Sequence, residues 1–297
     1  MNFISIFLFF LLNIISCGNN DEETEESINE DISGLKKVNL LHSGVERSYL
    51  IYIPTSYDKS VMMPIMFNFH GYSMSAENQL QFTGFDELAE KENFILIVPQ
   101  GSLLDGYSHW NAGLEGESNK SSADDFSFIL NILDEVENTY NVDTSKVYAS
   151  GYSNGAFFSY ALACYYSEKF TAIASVSGTM MEETYNECKP QRSIPLIIFH
   201  GTEDYVVPYQ GSSAGLISIE GTVKFWKDKN SISSEAIRTS LFSGNMPIEK
   251  FSYVDDESLS TIALYKVVGG SHLWFDLTLN DKSTNEIIWD FLKLHKI

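Results

Sequence analysis

Apolar and polar positions along the chain fall into two alternating kinds of segment. Short apolar runs rich in β-branched and aromatic residues are typical of buried strands, and longer stretches with apolar residues three or four apart are typical of helices. Strands are predicted at 48–53, 65–69, 94–98, 146–149, 172–176, 195–199 and 261–268, and helices at 78–92, 124–140, 155–164, 220–229 and 284–295. This alternation predicts an α/β fold with a mostly parallel central sheet and helices on both faces.

The junction between the predicted strand 146–149 and the helix 155–164 has the sequence Gly151-Tyr152-Ser153-Asn154-Gly155. G-x-S-x-G in a strand-to-helix turn is typical of a nucleophile elbow, which lifts the serine hydroxyl clear of the sheet. The serine is also expected at a helix N-terminus, where backbone N–H groups stabilise an anion. Because the motif also occurs by chance, Ser153 is interpreted as a nucleophile only if its partners are present.

A serine nucleophile needs a histidine base and a carboxylate that orients the histidine. In α/β-hydrolases the chain order is serine, acid, histidine, which excludes the histidines before Ser153. His272 and Asp204 each follow a predicted strand, and Glu203 is a rival acid. His272 alone could be a loop histidine and Asp204 alone a turn residue. Their joint order predicts a catalytic set of Ser153, Asp204 and His272.

Acyl transfer also needs N–H donors aimed at the carbonyl oxygen as it gains charge. The Asn154 N–H directly follows the nucleophile and is one candidate. The second is the Tyr72 N–H, because His70-Gly71 follows the predicted strand 65–69. The alternative for His70-Gly71 is a plain turn at the end of a strand.

Candidate pocket residues lie on segments predicted to be loops. Residues 101–122 form a long stretch rich in glycine, serine and asparagine that is expected to line the active site. Tyr72, Trp110, Tyr209 and Trp274 are expected near the site, where aromatic side chains stack on phenyl or sugar rings. Packing within the fold is the alternative for these four residues.

Seven motifs together resemble the secreted feruloyl esterases and polyhydroxybutyrate depolymerase-like esterases of the α/β-hydrolase superfamily. They are Phe69-His70-Gly71-Tyr72, Val98-Pro99-Gln100-Gly101, Trp110-Asn111, Asp124-Asp125-Phe126, the elbow sequence, His200-Gly201-Thr202-Glu203-Asp204 and Gly270-Ser271-His272-Leu273-Trp274. The resemblance runs from about Lys37 to the C-terminus and implies Ser153 as nucleophile, Asp204 as acid and His272 as base. It departs after His272, where Leu273-Trp274-Phe275 replaces the more usual Trp-Pro pair, so the pocket wall is expected to differ there.

The N-terminal residues resemble a bacterial lipoprotein signal. Residues 1–16 are a short apolar run before Cys17, too short for a comfortable membrane span, although no basic residue precedes Lys36. Cys17 would then be lipidated, 17–34 would be an acidic flexible tether with seven carboxylates, and 35–297 would be the catalytic domain. The expected location is extracytoplasmic, either anchored by lipid to the bacterial membrane or cell surface, or secreted.

The charge balance excludes one class of partner. The chain has a net charge of −21, and without the seven tether carboxylates 33 acidic residues still face 19 basic ones. Nucleic acid is therefore not an expected partner, because phosphate binding needs a basic face. Outside the cytoplasm, Cys164 and Cys188 form an even pair, and the resemblance implies a disulfide between them. The alternative is two buried thiols.

Together these features predict a serine carboxylic-ester hydrolase that acts on feruloyl or acetyl esters of plant polysaccharide and needs no metal or cofactor. One alternative is a depolymerase of polyhydroxybutyrate or another short polyester. Alternatives of other classes are a non-catalytic glycan-binding lipoprotein on a hydrolase scaffold and a secreted serine peptidase. The sequence does not indicate the oligomeric state.

Overall fold

The structure is a computed structural model that describes residues 32–112, 121–255 and 260–297. Ser33–Ile297 forms one compact unit. The predicted signal peptide (1–16), Cys17 and nearly all of the tether (17–34) lie outside the described residues, as do 113–120 of the long predicted loop. No helix in the described ranges has both the length and the apolar character that crossing a membrane requires.

The described chain alternates strands and helices. The strands are β1 (Gly34–His42), β2 (Val45–Ile53), β3 (Met63–Phe69), β4 (Ile95–Pro99), β5 (Ser102–Leu104), β6 (Tyr107–His109), β7 (Val142–Tyr152), β8 (Ala172–Val176), β9 (Leu196–Gly201), β10 (Ile237–Ser243), β11 (Met246–Val254), β12 (Ser260–Val267), β13 (Thr278–Leu279) and β14 (Lys282–Ser283). The helices are α1 (Ala76–Thr83), α2 (Phe85–Glu92), α3 (Asp125–Thr139), α4 (Asn154–Tyr165), α5 (Glu182–Glu187), α6 (Ile219–Lys229) and α7 (Thr284–Leu292).

Ten of the described strands form one sheet in the order β1-β2-β4-β3-β7-β8-β9-β12-β11-β10. The strands from β4 to β12 in that order are parallel. Antiparallel strands flank them at both edges. The predicted α/β fold with a mostly parallel sheet is therefore confirmed.

Two apolar cores lie on opposite faces of the sheet because successive strand side chains point to opposite faces. On one face, Phe67 and Phe69 pack with side chains of α3, α4 and α6. On the other face, Met66 packs with side chains of α1, α2 and α7. Helices therefore cover both faces, and the parallel strands between them are buried almost throughout.

The structure differs from the sequence prediction in the helix 78–92 and in elements that were not predicted, among them α5 and the short strands β5, β6, β13 and β14. The predicted helix 78–92 is two helices, because Gly84 adopts a left-handed conformation with φ of +63° and ends α1. Strands β1, β10 and β11 were not predicted. β10 is largely exposed, so it lacks the apolar alternation that marks a half-buried strand.

Cys164 and Cys188 form a disulfide with a Cα–Cα distance of 4.8 Å. The bond joins the end of α4, the helix that follows Ser153, to the residue after α5. Closing this 24-residue separation restricts the unfolded chain and stabilises the fold by roughly 3 kcal/mol.

The parallel arrangement determines where the candidate site lies. Strands β3, β7, β9 and β12 run in the same direction, so their C-terminal ends meet at one edge of the sheet. The segments that leave these ends carry Tyr72, Ser153, Asp204 and His272, in that order. In open α/β sheets, ligands bind at this edge.

Candidate active site

Ser153 occupies the turn between β7 and α4 with a positive φ of +52°, an uncommon conformation for a residue other than glycine. The turn is held by the Ser153 N–H, which donates to the Val176 carbonyl at 3.0 Å. A Cβ atom on Gly151 would lie 2.2 Å from the Gly155 backbone, and one on Gly155 would lie 2.3 Å from the Phe69 carbonyl oxygen. Both glycines of the elbow are therefore required by close backbone contacts.

The three predicted catalytic side chains form one hydrogen-bonded line. His272 Nε2 lies 3.0 Å from Ser153 Oγ, and His272 Nδ1 lies 2.8 Å from Asp204 Oδ2. An ionised carboxylate only accepts hydrogen bonds, so the ring proton lies on Nδ1 and Nε2 is free to accept the serine proton. His272 is partly open to solvent, with 16 % of its side chain exposed, whereas the Asp204 side chain is fully buried.

The surroundings of Asp204 keep it ionised. Burial alone would raise the pKa of this carboxyl, but the hydrogen bonds from His272 and the Val207 N–H outweigh it and lower the pKa below its ordinary value. Oδ1 accepts from the Val206 and Val207 N–H groups at 3.0 and 2.8 Å. The rival acid Glu203 is exposed, and the carboxylate that contacts His272 belongs to Asp204.

A buried histidine, His200, holds the loop that carries Asp204. His200 Nε2 lies 2.8 Å from the Val207 carbonyl oxygen and 3.5 Å from Asp204 Oδ2. Burial lowers the pKa of His200, so the ring is neutral and its Nε2–H donates to Val207. This contact between His200 and the loop was not predicted from the sequence.

The two candidate oxyanion donors lie at the ends of neighbouring strands. Asn154 is the first residue of α4, a position whose N–H has no partner within the helix. Tyr72 follows Gly71 after β3, the strand that pairs with β7 up to Phe69 and Gly151. The Asn154 N–H therefore comes from the elbow itself and the Tyr72 N–H from the loop after the neighbouring strand β3.

His70 orients the peptide group that carries the Tyr72 N–H. The Gly101 N–H donates to His70 Nε2 at 2.9 Å, so the ring proton lies on Nδ1, which donates to the Gly71 carbonyl at 2.8 Å. In a trans peptide group the Gly71 carbonyl and the Tyr72 N–H point in opposite directions. By holding the carbonyl, His70 fixes the direction of the N–H. A plain turn would not need this buried ring.

Residues 101–112 pack against the start of α4 and the loop after β3. The Asn154 side chain accepts from the Trp110 N–H at 2.7 Å and donates to the Trp110 carbonyl at 3.1 Å. The hairpin β5–β6 is joined to the same region, because the Ser73 N–H donates to the Ser108 carbonyl at 2.8 Å. The described part of the predicted loop thus borders the site, partly as an unpredicted hairpin.

Three of the four predicted pocket aromatics are core residues, so that prediction was wrong for them. Trp110, Tyr209 and Trp274 are 1, 4 and 8 % exposed. The Trp110 ring stacks on Phe158, and its Nε1–H donates to the His70 carbonyl. Trp274 Nε1–H donates to Asn285. They were predicted because they lie on loops, but each is a buried residue of the apolar cores.

Tyr72, the fourth predicted aromatic, is 48 % exposed and has a partner that the sequence analysis missed. Tyr107, at the tip of the β5–β6 hairpin, is 55 % exposed, and its ring centroid lies 5.7 Å from that of Tyr72. Leu273 and Tyr205, next to His272 and Asp204 in sequence, are also exposed. The rim of the site therefore has an exposed aromatic pair, formed by the loop after β3 and the β5–β6 hairpin. The sequence signals were the departure from the family pattern at Leu273 and, for Tyr205, only its position next to Asp204.

Within the described ranges, no three His, Cys, Asp or Glu side chains are grouped so that they could hold a metal ion. The chemistry that the arrangement supports is instead nucleophilic. A serine with a histidine at 3.0 Å, oriented by a buried aspartate, can attack an electrophilic carbonyl carbon.

An elbow serine followed in chain order by an aspartate and a histidine at the same sheet edge defines the α/β-hydrolase class. The chain belongs to the esterase family: its residues 43–235 match the family described as "Putative esterase". The matched range contains Ser153 and Asp204 and ends before His272. The family resemblance noted from the motifs is thus confirmed.

Individual relatives are esterases. The chain is 29% identical over 193 residues to a bifunctional acetylxylan esterase/xylanase of Neocallimastix patriciarum, covering 65% of this chain and 26% of that protein. It is 25% identical over 258 residues to feruloyl esterase B of Piromyces equi, covering 83% of this chain and 45% of that protein. The chain therefore spans less than half the length of these two relatives.

The fold is shared with solved structures. An acetyl xylan esterase from Aspergillus awamori superposes with a TM-score of 0.62 at 16% identity, over 88% of this chain and 99% of that chain. At this identity the likeness shows a common α/β-hydrolase fold.

The neutral state of His70 predicts a pH dependence of stability. Burial lowers the pKa of His70 to about 4, whereas an unfolded histidine titrates near 6.5. Between these values the unfolded chain binds more protons, so the free energy of unfolding should fall as the pH drops from about 6.5 to 4, by about 3 kcal/mol for this residue. Urea unfolding at a series of pH values measures this.

The matched variant is His70→Asn, whose amide can still donate to Gly71 but does not titrate. Its free energy of unfolding should depend less steeply on pH over the same interval, by about one bound proton. Equal slopes for the variant and the wild type would contradict a neutral buried His70.

Proposed function

We propose that the protein is a serine carboxylic-ester hydrolase that acts outside the cytoplasm on feruloyl or acetyl esters of plant polysaccharide. The observation that carries the proposal is the hydrogen-bonded line from Ser153 through His272 to Asp204. Membership of the esterase family supports the same reaction. The names of the relatives, an acetylxylan esterase and a feruloyl esterase, support the substrate class.

In the acylation half-reaction, His272 Nε2 takes the Ser153 proton as Oγ attacks the ester carbonyl carbon. Asp204 holds the imidazole in the required tautomer and stabilises its positive charge. The Tyr72 and Asn154 N–H groups bind the oxyanion of the tetrahedral intermediate. When the intermediate collapses, His272 gives its proton to the leaving alcohol or sugar hydroxyl, and the acyl group stays on Ser153.

In the deacylation half-reaction, water replaces the alcohol. His272 takes a proton from the water as its oxygen attacks the acyl carbon, and the same N–H groups bind the second oxyanion. The proton then returns to Ser153 Oγ as the acid leaves. The 16 % exposure of His272 gives water a route to the base.

The exposed pair Tyr72 and Tyr107 supports an aromatic or sugar ring in the substrate. Both rings stand at the rim beside the candidate oxyanion donors, and neither is covered by the core. Aromatic faces stack on phenyl groups and on the apolar faces of sugars. We assign to these two side chains the stacking on substrate rings that was predicted for Trp110, Tyr209 and Trp274, which are buried.

The proposed location rests on the N-terminal sequence and the disulfide. Residues 1–16 followed by Cys17 resemble a lipoprotein signal. The bond between Cys164 and Cys188 is of a kind that persists in oxidising compartments. We therefore infer that the protein is anchored by lipid at Cys17 to the bacterial membrane or cell surface, with 17–34 as tether and 35–297 as catalytic domain.

Substitution of the three catalytic candidates tests the reaction. Hydrolysis of a short aryl ester should fall on the order of 10⁵-fold in Ser153→Ala and His272→Ala, and on the order of 10⁴-fold in Asp204→Asn, in which the wrong imidazole tautomer is favoured. Initial rates of purified proteins, with circular dichroism as a check on folding, give the measurement.

The matched control is Ser150→Ala, on the same strand as the elbow. The buried Ser150 hydroxyl has no hydrogen-bond partner in the described part of the chain, so this variant should keep its activity. Near-wild-type turnover by Ser153→Ala would refute Ser153 as the nucleophile, whereas absence of turnover in the wild-type protein would favour a non-catalytic glycan-binding protein.

A panel of esters tests the substrate class. Methyl ferulate, feruloylated arabinoxylan fragments and acetylated xylan should be cleaved with higher kcat/KM than hydroxybutyrate oligomers. Tyr107→Ala should lower kcat/KM for the feruloylated fragments about 3- to 10-fold, since one aromatic contact is lost, and should change aryl acetate hydrolysis less.

Phe242→Ala removes an exposed aromatic ring from the edge strand β10 and should leave the whole panel unchanged. Preference for hydroxybutyrate oligomers would overturn the polysaccharide assignment and favour a polyester depolymerase, and the ester-hydrolysis mechanism would stand.

Fractionation tests the location. Expressed with its own N-terminus in a Gram-negative host, the protein should be found with the membranes, because a lipidated Cys17 inserts acyl chains. Cys17→Ser should release it or block its processing, and Asn20→Ser should not. Soluble protein that still carries Met1 would argue against a lipoprotein.

A further inference from the structure

The loop that carries His272 is held at two consecutive carbonyl groups. It connects β12 to β13 and has no regular secondary structure. The Tyr152 hydroxyl donates to the His272 carbonyl at 3.1 Å, and the Ser177 hydroxyl donates to the Leu273 carbonyl at 2.7 Å. Both bonds join side chains to the backbone of the loop, one at the base itself and one at the next residue.

The two hydroxyls come from neighbouring strands. Tyr152 is the last residue of β7 and directly precedes the nucleophile, and Ser177 directly follows β8. Tyr152 pairs with Val176 in the parallel register of β7 and β8, so the two side chains start from adjacent points of the sheet edge. The same edge that presents Ser153 thus also holds the loop of its base.

Ser177 is held in an unfavourable backbone conformation. It is fully buried and has a φ of +50°, in the left-handed region that few residues other than glycine adopt. Such conformations persist where the surrounding structure fixes them, and they cluster at functional sites. The Ser177 N–H donates to the Phe199 carbonyl at 2.9 Å, which leaves the hydroxyl directed to Leu273.

Tyr152 contacts both sides of the site. Its ring centroid lies 5.1 Å from that of His272, and a Cβ atom on Gly71 would lie 2.9 Å from its Cδ1. The ring therefore fills the space between the histidine loop and the loop that carries Tyr72. Burial, with a contribution from the Asp204 charge, raises the pKa of Tyr152 to about 12, so its hydroxyl remains a donor at neutral pH.

We propose that Tyr152 and Ser177 are positioning residues for the base: their hydroxyls hold the His272 and Leu273 carbonyls so that the imidazole stays between Asp204 and Ser153. The inference rests on the proposed esterase function. Neither hydroxyl touches the reacting atoms. They act through His272, whose ring needs contacts of 2.8 and 3.0 Å on opposite sides at once.

Hydroxyl deletion with a matched control is the first test. Tyr152→Phe should lower kcat on the order of 10-fold with little change in KM, because a small displacement of a catalytic group is costly. The control is Tyr148→Phe, on the same strand, which deletes a tyrosine hydroxyl that donates to the backbone carbonyl of a different histidine, His295, at 2.9 Å. Tyr148→Phe should keep the wild-type kcat.

Two substitutions of Ser177 separate the hydroxyl from the backbone conformation. Ser177→Ala keeps the left-handed φ and removes the donor, whereas Ser177→Gly relieves the conformation as well. Both should lower kcat similarly. Wild-type kcat in Ser177→Gly, or an equal loss in Tyr148→Phe and Tyr152→Phe, would overturn the proposal.

The second test asks whether the effect passes through His272. The rate of serine labelling by a fluorophosphonate should fall in Tyr152→Phe, but adding Tyr152→Phe to His272→Ala should change the residual rate less than about 2-fold, because the group it positions is gone. A full additional loss in that background would show a general structural effect and overturn the proposal. If Ser153→Ala itself keeps turnover, the proposed Ser153–His272 mechanism fails; if Ser153→Ala is inactive and Tyr152→Phe is not impaired, only the positioning role fails.

Discussion

The close backbone contact of the nucleophile elbow is the constraint on which the rest of the site depends. Gly155, in the first turn of α4, sits so near the Phe69 carbonyl that a Cβ atom there would lie 2.3 Å from the oxygen. This contact brings the N-terminus of α4 against the end of β3. As a result the Asn154 and Tyr72 N–H groups, the proposed oxyanion donors, come from two segments already in contact.

A buried ion pair holds the segment from Gln100 to Asn111 in place. Arg47 Nη2 lies 2.8 Å from Asp125 Oδ1 and also donates to the Gln100 carbonyl, while Asp125 Oδ2 accepts from the Asn111 N–H. Burial raises the pKa of Asp125, and the neighbouring guanidinium opposes that shift. The pair therefore holds both ends of the segment from Gln100 to Asn111. This segment contains Trp110, and its Gly101 N–H donates to His70. Breaking such a pair by removing one partner costs about 3–5 kcal/mol, because a buried charge is left alone.

The fold class and the grouping of Ser153, Asp204 and His272 could be predicted from the sequence. Residues that follow parallel strands lie at the same edge of the sheet, even when they are far apart in the chain. The prediction of the aromatic pocket failed for a physical reason: Trp110 and Trp274 lie on irregular segments, but irregular segments also bury rings when their N–H groups find acceptors such as the His70 carbonyl. Tyr107 was missed because the β5–β6 hairpin has strands of three residues, too short for a pattern. Contacts such as Tyr152 with the His272 carbonyl join residues 120 positions apart, which no local pattern contains.

The attachment of the β5–β6 hairpin has a consequence for how the substrate range of this protein can change. Ser73 and Ser108 are joined through backbone, and the Ser108 hydroxyl donates to the Met74 carbonyl, so the hairpin that presents Tyr107 is bonded to the loop that presents the Tyr72 N–H. The hairpin surface that would contact a substrate and the N–H group that would stabilise its transition state are therefore held together by hydrogen bonds. Grafting a foreign hairpin would therefore disturb turnover together with selectivity. New substrate ranges are more readily reached by exchanging single side chains at the hairpin tip, with its backbone left in place.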